Sequence, residues 1–297
     1  MVFPSGNLDF GFFGLKPHLF SIGKTSPPKL WRLKLKAALQ LIFISLKYNL
    51  SAHWSNLPNL LASTFGMLLN NTIFLTGMWT MLFAGRPENQ HLLNYYIALN
   101  ALIMISWGAI NFFFGGWIDL GEIIVNGQFE SKLASPRHPL LLVSFHSLHP
   151  SALGDLLMGL VGVVILAIWA PPGMTLRTLI ATGLSGLSLF ALYVFSGSLA
   201  FFVSRGNILA HLVREMVVSL SSYPVGKIFP NGLGRTLLLL TPAGAVSILP
   251  LEWIETAGIE DLLLTSLSVG VLLFFSLWFY SVGSKRFQSL TLIGAQS

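Results

Sequence analysis

Long apolar runs alternate with short polar segments along most of this chain. Six runs approach the ~20 residues that a helix needs to cross ~30 Å of hydrocarbon. The fifth run is interrupted by prolines and a glycine, and such breaks are tolerated where protein or water satisfies the freed backbone groups. We predict an all-α polytopic membrane protein with six transmembrane helices, the fifth bent or re-entrant, near residues 58–83, 92–117, 151–170, 178–203, 232–250 and 262–282.

The segment ahead of the first span has an amphipathic pattern. At 100° per residue, the basic and polar positions between residues 29 and 47 face away from the apolar ones. Such a helix is expected in the membrane interface, with its cations towards anionic lipid headgroups, although packing on other protein gives the same pattern. The lipid-facing cations would be Lys29, Arg32, Lys36 and Lys47. The chain then divides into a tail (1–28), an amphipathic connecting helix (29–56), a six-helix transmembrane domain (57–286) and a C-terminal tail (287–297).

Composition supports a membrane protein and excludes several other classes. Apolar residues make up 54% of the 297 and charged residues 9%, against about 45–50% and about 25% in soluble domains. A soluble enzyme, a disordered chain and a nucleic-acid binder are therefore not expected. The sequence contains no cysteine, so it offers no disulfide, thiol nucleophile or cysteine-ligated zinc. Gly23-Lys24-Thr25 lacks the upstream glycine and the strand of a phosphate-binding loop, so we expect no nucleotide site in this chain.

The distribution of basic residues predicts the orientation. With a cytoplasmic N-terminus and six crossings, all of the 17 Lys and Arg except Arg86 and Arg177 fall on the cytoplasmic side, as the positive-inside rule favours. Lys227 and Arg235 are among those expected in the cytoplasm. Both termini are then cytoplasmic, and an acidic cluster lies outside, formed by Glu252, Glu255, Glu260 and Asp261.

Polar side chains inside the predicted spans are candidates for a substrate pathway. Asp155 is the only acid within a span, and intramembrane acids are functional candidates by default. Ser151 could instead cap this helix and leave Asp155 in the first turn, where the helix dipole favours an anion. Amides at this depth must bond to neighbouring helices or line a wet cavity. The candidates are Asn70, Asn71, Asn100, Asn111 and Asp155.

A group of histidines offers a different chemistry. His138, His146 and His149 lie close to Asp155 in sequence, and imidazole and carboxylate groups bind metal ions. Prolines interrupt the stretch, however, and histidines at a membrane surface more often contact headgroups or backbone carbonyls. We therefore expect no metal site here, and a membrane enzyme built on these histidines is a less favoured alternative.

The loop that follows the second span, residues 119–136, is predicted to form a short amphipathic helix, a glycine break and an exposed turn that ends at Pro136. An amphipathic element on the cytoplasmic side is a natural docking surface for a soluble partner. Taken alone, the pattern equally fits a surface helix resting on lipid.

Two stretches of the chain resemble ABC-2 type permeases. The first lies in the loop and is similar to the family's loop motif: Gly121-Glu122-Ile123-Ile124…Gly127-Gln128-Phe129-Glu130…Leu133…Pro136…Pro139-Leu140. The second is similar to an aromatic-proline segment followed by a proline-rich span: Tyr223-Pro224…Phe229-Pro230…Thr241-Pro242-Ala243…Pro250. Their order within residues 29–286 is most similar to the group labelled viologen-exporter-like. Two departures are Glu130 in place of the usual Asp, and Arg137 after the loop proline where the family often has a basic residue before it.

The resemblance implies a permease subunit of an ATP-driven exporter in the bacterial plasma (inner) membrane. Such subunits pair with a second permease, often non-identical although a homodimer is possible, and sit on cytoplasmic ABC ATPases that bind the ATP and Mg. This chain would then bind no cofactor and perform no covalent chemistry. The loop would be the coupling helix and would contact the ATPase through Glu122, Ile123, Asn126, Gly127, Phe129, Glu130, Leu133 and Pro136.

An ion-coupled secondary transporter or a channel is the main alternative. It would need working charges deep in the spans, for which Asp155 is the only candidate. For either kind of transporter, the amides and aromatic residues of the spans suit amphipathic or cationic compounds as well as lipids and glycan precursors.

Overall fold

A computed structural model describes residues 40, 43–45, 47–51, 53–83, 90–135, 137–228 and 232–294. The predicted tail 1–28, Lys29, Arg32, Lys36 and Pro136 lie outside the described residues, as does most of the predicted helix 29–56. The chain divides into two units, residues 1–44 and 45–297. In the first unit, the described residues 40, 43 and 44 are helical. The second unit includes Lys47, which is helical and exposed.

Helices form the second unit, and no strand occurs in the part of the chain that the structure describes. Two short 3₁₀ turns, Gly115–Trp117 and Leu199–Phe201, and a π-helix, Gly244–Ile248, extend or connect the α-helices. The α-helices are α1 (Leu57–Phe83), α2 (Gln90–Phe114), α3 (Leu120–Val125), α4 (Phe129–Leu133), α5 (Pro139–Ser144), α6 (Ala152–Trp169), α7 (Met174–Ser198), α8 (Gly206–Ser222), α9 (Val225–Ile228), α10 (Gly232–Leu240), α11 (Leu249–Thr256) and α12 (Ile259–Gly294).

Five helical stretches in the described residues are long and apolar enough to cross a membrane. They contain α1, α2, α6, α7 and α12, and they overlap the first four and the last of the predicted spans. Gly234–Leu240 and Gly244–Thr256 pass the same test only as a pair, and they are bent by 92° against each other. The bend follows Thr241, at the Pro242 and Gly244 that interrupt the apolar run. The prediction of an all-α polytopic membrane protein is confirmed.

The bundle is centred on α2 and α7. The apolar windows of these two helices are 67% and 56% buried, whereas those of α1 and α12 are 11% and 17% buried. Leu99, Leu102 and Leu192 are completely buried in the core between the central helices. Ser188 of α7 donates its hydroxyl to the carbonyl of Ala245 in the π-helix, 3.0 Å away. The outer helices therefore leave most of their apolar surface for lipid or for another protein.

The structure differs from the predicted topology between spans four and six. Lys227 lies 2.8 Å from Glu255, and Arg235 lies 2.8 Å from Glu252. The sequence predicted these two cations in the cytoplasm and the two acids outside. Because each cation contacts one of the acids, all four residues lie on the same side, and the two expectations cannot both be correct. His91, at the start of α2, also lies 3.7 Å from Glu255. We call this side of the bundle the ion-pair face, and the opposite side, where residues 119–135 and 137–149 lie, the loop face.

We propose that α8, which runs between the two faces, makes the fifth crossing in place of residues 232–250. Near the start of α8, Asn207 and Ala210 lie against Gly121 on the loop face, 3.3 Å from a Cβ added there. In the middle of α8, Arg214 donates to the carbonyl of Ile118. Beyond its end, the Lys227 ammonium lies 4.6 Å from the ring centre of Tyr95, near the start of α2. The 17 residues of α8 span about 25 Å at 1.5 Å per residue. Sequence reasoning missed this crossing because His211, Arg214 and Glu215 lower its hydropathy, while the bent pair α10–α11 returns to the ion-pair face.

Cysteine labelling distinguishes the two topologies, since the natural chain has no cysteine. We expect Lys227→Cys to react with a membrane-impermeant maleimide from the same side as Glu260→Cys, because both positions are exposed near the ion-pair face. Ser204→Cys, exposed between α7 and α8, should react from the opposite side. Reaction of Lys227→Cys from the same side of the membrane as Ser204→Cys would instead support the topology predicted from the sequence.

Candidate functional site

The loop on the loop face consists of two short helices joined by a tight turn. Helices α3 and α4 are separated by residues 126–128. Gly127 has a φ of 73°, a left-handed conformation that glycine adopts without strain. The sequence pattern of an amphipathic helix followed by a glycine break is therefore present, with a second helical turn after it.

One side of this helix pair is buried in the protein. Ile123 and Phe129 are 1% and 0% exposed. The Phe129 ring contacts Phe201 at a centroid distance of 5.2 Å and Phe287 at 5.8 Å. The expectation that Ile123 and Phe129 contact a partner is therefore corrected: an aromatic pocket of the same chain holds them. Leu133 is half-buried and packs against the same cluster.

The other side of the helix pair is exposed and mostly polar. Its two acids, Glu122 and Glu130, flank the turn on α3 and α4. The Asn126 amide lies 3.5 Å from the Glu122 carboxylate, one helical turn earlier. We call this surface the tip; it consists of Glu122, Val125, Asn126, Gly127, Gln128, Glu130 and Ser131. Four of the eight predicted contact residues thus lie on an accessible surface.

The buried side connects the tip to several helices at once. Leu120 lies so close to α7 that a Cβ added at Gly197 would be 2.8 Å from the Leu120 Cβ atom. The Arg214 guanidinium of α8 donates a hydrogen bond of 2.9 Å to the carbonyl of Ile118. Phe129 contacts the far end of α12 through Phe287. The base of the tip therefore contacts α7, α8 and α12.

A cavity of about 270 Å³ lies between α1, α2, α6 and α8. Three of the predicted pathway residues line it: Asn71, Asn100 and Asp155. A second, more apolar cavity of about 350 Å³ lies between α1, α2 and α6 and shares Asn100 and Met104 with the first. The two cavities are therefore neighbours, one with an acid in its wall and the other lined mainly by apolar side chains.

Asp155 is the central polar group of the smaller cavity. It is 4% exposed, and its Oδ1 atom accepts a hydrogen bond of 2.7 Å from the Asn71 amide. Its Oδ2 atom is buried without a hydrogen-bond partner among the described residues. The six ion pairs of the described residues do not include it. Asp155 does lie in the first turn of α6, but Ser151 makes no side-chain capping bond there.

The remaining predicted amides do not line these cavities. Asn70 is exposed on α1. Asn111 is 2% exposed and donates to the Tyr193 hydroxyl at 3.3 Å, so it serves contacts between α2 and α7. Sequence reasoning missed three aromatic residues of the cavity wall, Phe74, Trp107 and Tyr223. Tyr223 was missed because α8 and the residue after it were placed outside the membrane.

The histidines do not converge. His149 lies 3.4 Å from the Asp119 carboxylate, which also accepts a hydrogen bond from Ser147. His138 instead faces the ring of Tyr280, 6.5 Å away. Within the described residues, no three His, Asp or Glu side chains are arranged to hold a metal ion.

Most of the chain matches a known protein family. The family model described as "ABC-2 family transporter protein" matches residues 89–291, which include the loop, α8 and the bent pair. No curated protein and no solved structure matches the chain. Because the match covers more than half of the 297 residues, this multi-pass membrane protein belongs to the ABC-2 family of transporter proteins and is a permease component of an ABC transporter.

Proposed function

We propose that this chain is the permease subunit of an ATP-driven exporter and that the tip docks into a groove of a cytoplasmic ABC ATPase. The observation that carries this proposal is the construction of residues 120–133, where an exposed polar turn stands on a base fixed by buried aromatic contacts. A docking element needs both parts: an accessible surface to bind, and a rigid attachment to transmit the resulting force. ATP and Mg would be bound by the partner.

The path from the tip to the cavity supports a coupled movement. The Arg214 guanidinium holds the Ile118 carbonyl and lies 5.9 Å from the centre of the Tyr193 ring. Tyr193 in turn packs edge-on against Trp107, at 5.8 Å, and Trp107 lines the cavity. Closure of the ATPases on ATP would shift the helices that carry these residues and change access to the cavity. The ATPases supply the difference in binding energy, and the permease is the element with two states.

The charges of the loop face support a cytoplasmic position for the tip. Lys132, Arg137, Arg205, Lys285 and Arg286 all lie near the loop-face ends of helices. Lys227 and Arg235 lie on the ion-pair face and not, as predicted, on the cytoplasmic side. The excess of basic residues on the loop face is therefore smaller than predicted, but it remains. The positive-inside rule therefore still favours cytoplasmic termini, in a bacterial inner membrane.

A second permease, identical or not, would complete the transporter. Helices α1 and α12 are the least buried of the spans, and large apolar side chains such as Phe65 and Phe274 are 68% and 74% exposed. Lipid can cover such surfaces, and so can another permease. Non-identity of the partner rests on the family resemblance alone.

Charge reversal at the tip tests the docking proposal. We expect Glu122→Lys with Glu130→Lys to abolish co-purification of the ATPase and transport, because both acids are exposed on the proposed contact surface. Each reversed interfacial charge commonly costs several kcal/mol in a complementary interface. The fold should survive, since neither residue is buried. Pull-down of the ATPase from detergent-solubilised membranes measures the effect.

The matched control is Glu260→Lys, which makes the same change at an exposed position on the ion-pair face. It should leave ATPase binding unchanged. Equal amounts of ATPase bound to the tip variant and to the control would contradict docking at the tip.

A further inference from the structure

A crevice of about 340 Å³, lined by polar and apolar side chains in equal number, lies on the loop face between the base of the tip and α12. Leu133, His138 and the start of α5 form one wall, and α12 forms the other through Tyr280, Ser281 and Ser284. None of the described lining residues is acidic. The proposed docking of an ATPase and the proposed pathway through the cavity use none of these α12 residues.

The wall of this crevice contains a hydroxyl without a partner. Tyr280 is 5% exposed, and its hydroxyl is buried with no hydrogen-bond partner among the described residues. A buried polar group left unpaired costs about 1–3 kcal/mol, so it points to a ligand or an ordered solvent molecule. Ser284 donates to the carbonyl of Ser281, at 3.1 Å, which leaves its oxygen free to accept a further bond.

Basic residues flank the crevice. Arg137 is exposed and directly precedes His138. Lys285 is exposed, follows Ser284, and lies one helical turn after Ser281, so it belongs to the same side of α12. The local charge is therefore positive around a polar cleft, which suits a phosphate group.

The surroundings of the crevice favour a lipid over a free phosphate. Towards the middle of the membrane, α12 continues with Phe274, Leu277 and Trp278, which are 74%, 42% and 52% exposed. An acyl chain can lie along this apolar surface while the headgroup occupies the crevice. Basic pockets between transmembrane helices on the cytoplasmic side bind anionic headgroups in this manner.

We propose that this crevice binds one anionic glycerophospholipid of the adjoining leaflet, with its phosphate among Tyr280, His138 and Ser284. The lipid bridges the base of the tip and the loop-face end of α12. It thereby stabilises the joint through which the loop is attached to the last helix.

Native mass spectrometry of the full-length chain in detergent tests this proposal. Dioleoyl phosphatidylglycerol should bind with a stoichiometry of one at low concentration, and dioleoyl phosphatidylcholine, with the same acyl chains, should not. Tyr280→Phe removes only the hydroxyl and should weaken binding at least about tenfold, as expected for a hydrogen bond to a charged group. Lys285→Gln should weaken it about fivefold.

Arg286→Gln is the matched control, because it removes the same charge from the next residue. The Arg286 guanidinium lies 5.5 Å from the ring centre of Phe202, and the residue does not line the crevice. Equal losses in Lys285→Gln and Arg286→Gln would show non-specific attraction and overturn the site. Equal binding of the two lipids would overturn it as well. Displacement of phosphatidylglycerol by an equal concentration of glycerol 3-phosphate would identify a soluble phosphate as the ligand and contradict the lipid assignment.

Discussion

Phe129→Asp is expected to destroy the base of the tip and, with it, both ATPase binding and transport. The ring is completely buried among Phe201, Tyr280 and Phe287. A carboxylate at this position would be buried among aromatic rings and would leave a cavity, so we expect a loss of more than about 4 kcal/mol of folding free energy. Phe129→Ala should cost about 3–5 kcal/mol. The Tm of the detergent-solubilised protein measures both.

The neighbouring position provides the control. Gln128 is exposed on the tip, so Gln128→Asp should leave Tm within about 2 °C of the wild type, as expected of surface substitutions. An unchanged Tm in Phe129→Asp, with loss of ATPase binding alone, would mean that Phe129 faces the partner, as the sequence suggested. This comparison separates a residue that holds the loop from one that binds the ATPase.

Asp155→Asn is expected to lower export at least about tenfold without unfolding the protein. The new side chain can still accept the hydrogen bond that the Asn71 amide donates. The substitution removes the only acid among the described residues that line the cavity between α1, α2, α6 and α8. Loss of a charge-assisted bond to a substrate costs about 1.5–3 kcal/mol. Compounds whose export depends on the wild-type transporter can be identified by mass spectrometry of the culture medium and then followed in the variant.

Asn70→Ala is the control for this substitution, since Asn70 is exposed on α1 and lines neither cavity. It should leave export unchanged. Unchanged export in Asp155→Asn would contradict a role in the pathway and would leave Asp155 only its favourable position near the helix dipole in the first turn of α6. Transport by the chain alone in liposomes, driven by a proton gradient and abolished in Asp155→Asn, would favour the ion-coupled alternative.

The apolar runs predicted most of the fold because five spans carry little charge. They could not predict α8, because its ionisable residues lower its hydropathy. In the structure, Arg214 makes a tertiary contact by donating to the Ile118 carbonyl, and it also lies 3.6 Å from Glu215, the next residue of the same helix. The pairing of Lys227 with Glu255 is likewise a long-range contact that no local pattern records. Counting charges by loop therefore assigned these residues to opposite sides.

The candidate site was predictable in position but not in orientation. The glycine break at Gly127 indicates the turn, and the amphipathic pattern indicates that one side is buried. The pattern does not say whether the buried side packs on its own chain, on lipid or on a partner. Phe129 packs on its own chain because Phe201 and Phe287 reach it from two distant helix ends. For the same reason the sequence grouped Asn111 with Asn71, although Asn111 bonds to Tyr193 and only Asn71 reaches Asp155.

Site-specific photocrosslinking tests docking of the tip most directly. A benzoylphenylalanine at position 128 of the full-length chain, expressed with its native partners, should form a covalent product with the ABC ATPase on irradiation. The same probe at position 260, exposed on the ion-pair face, should form none. A product from position 260 with the ATPase, and none from position 128, would contradict the proposal that the tip is the point of attachment.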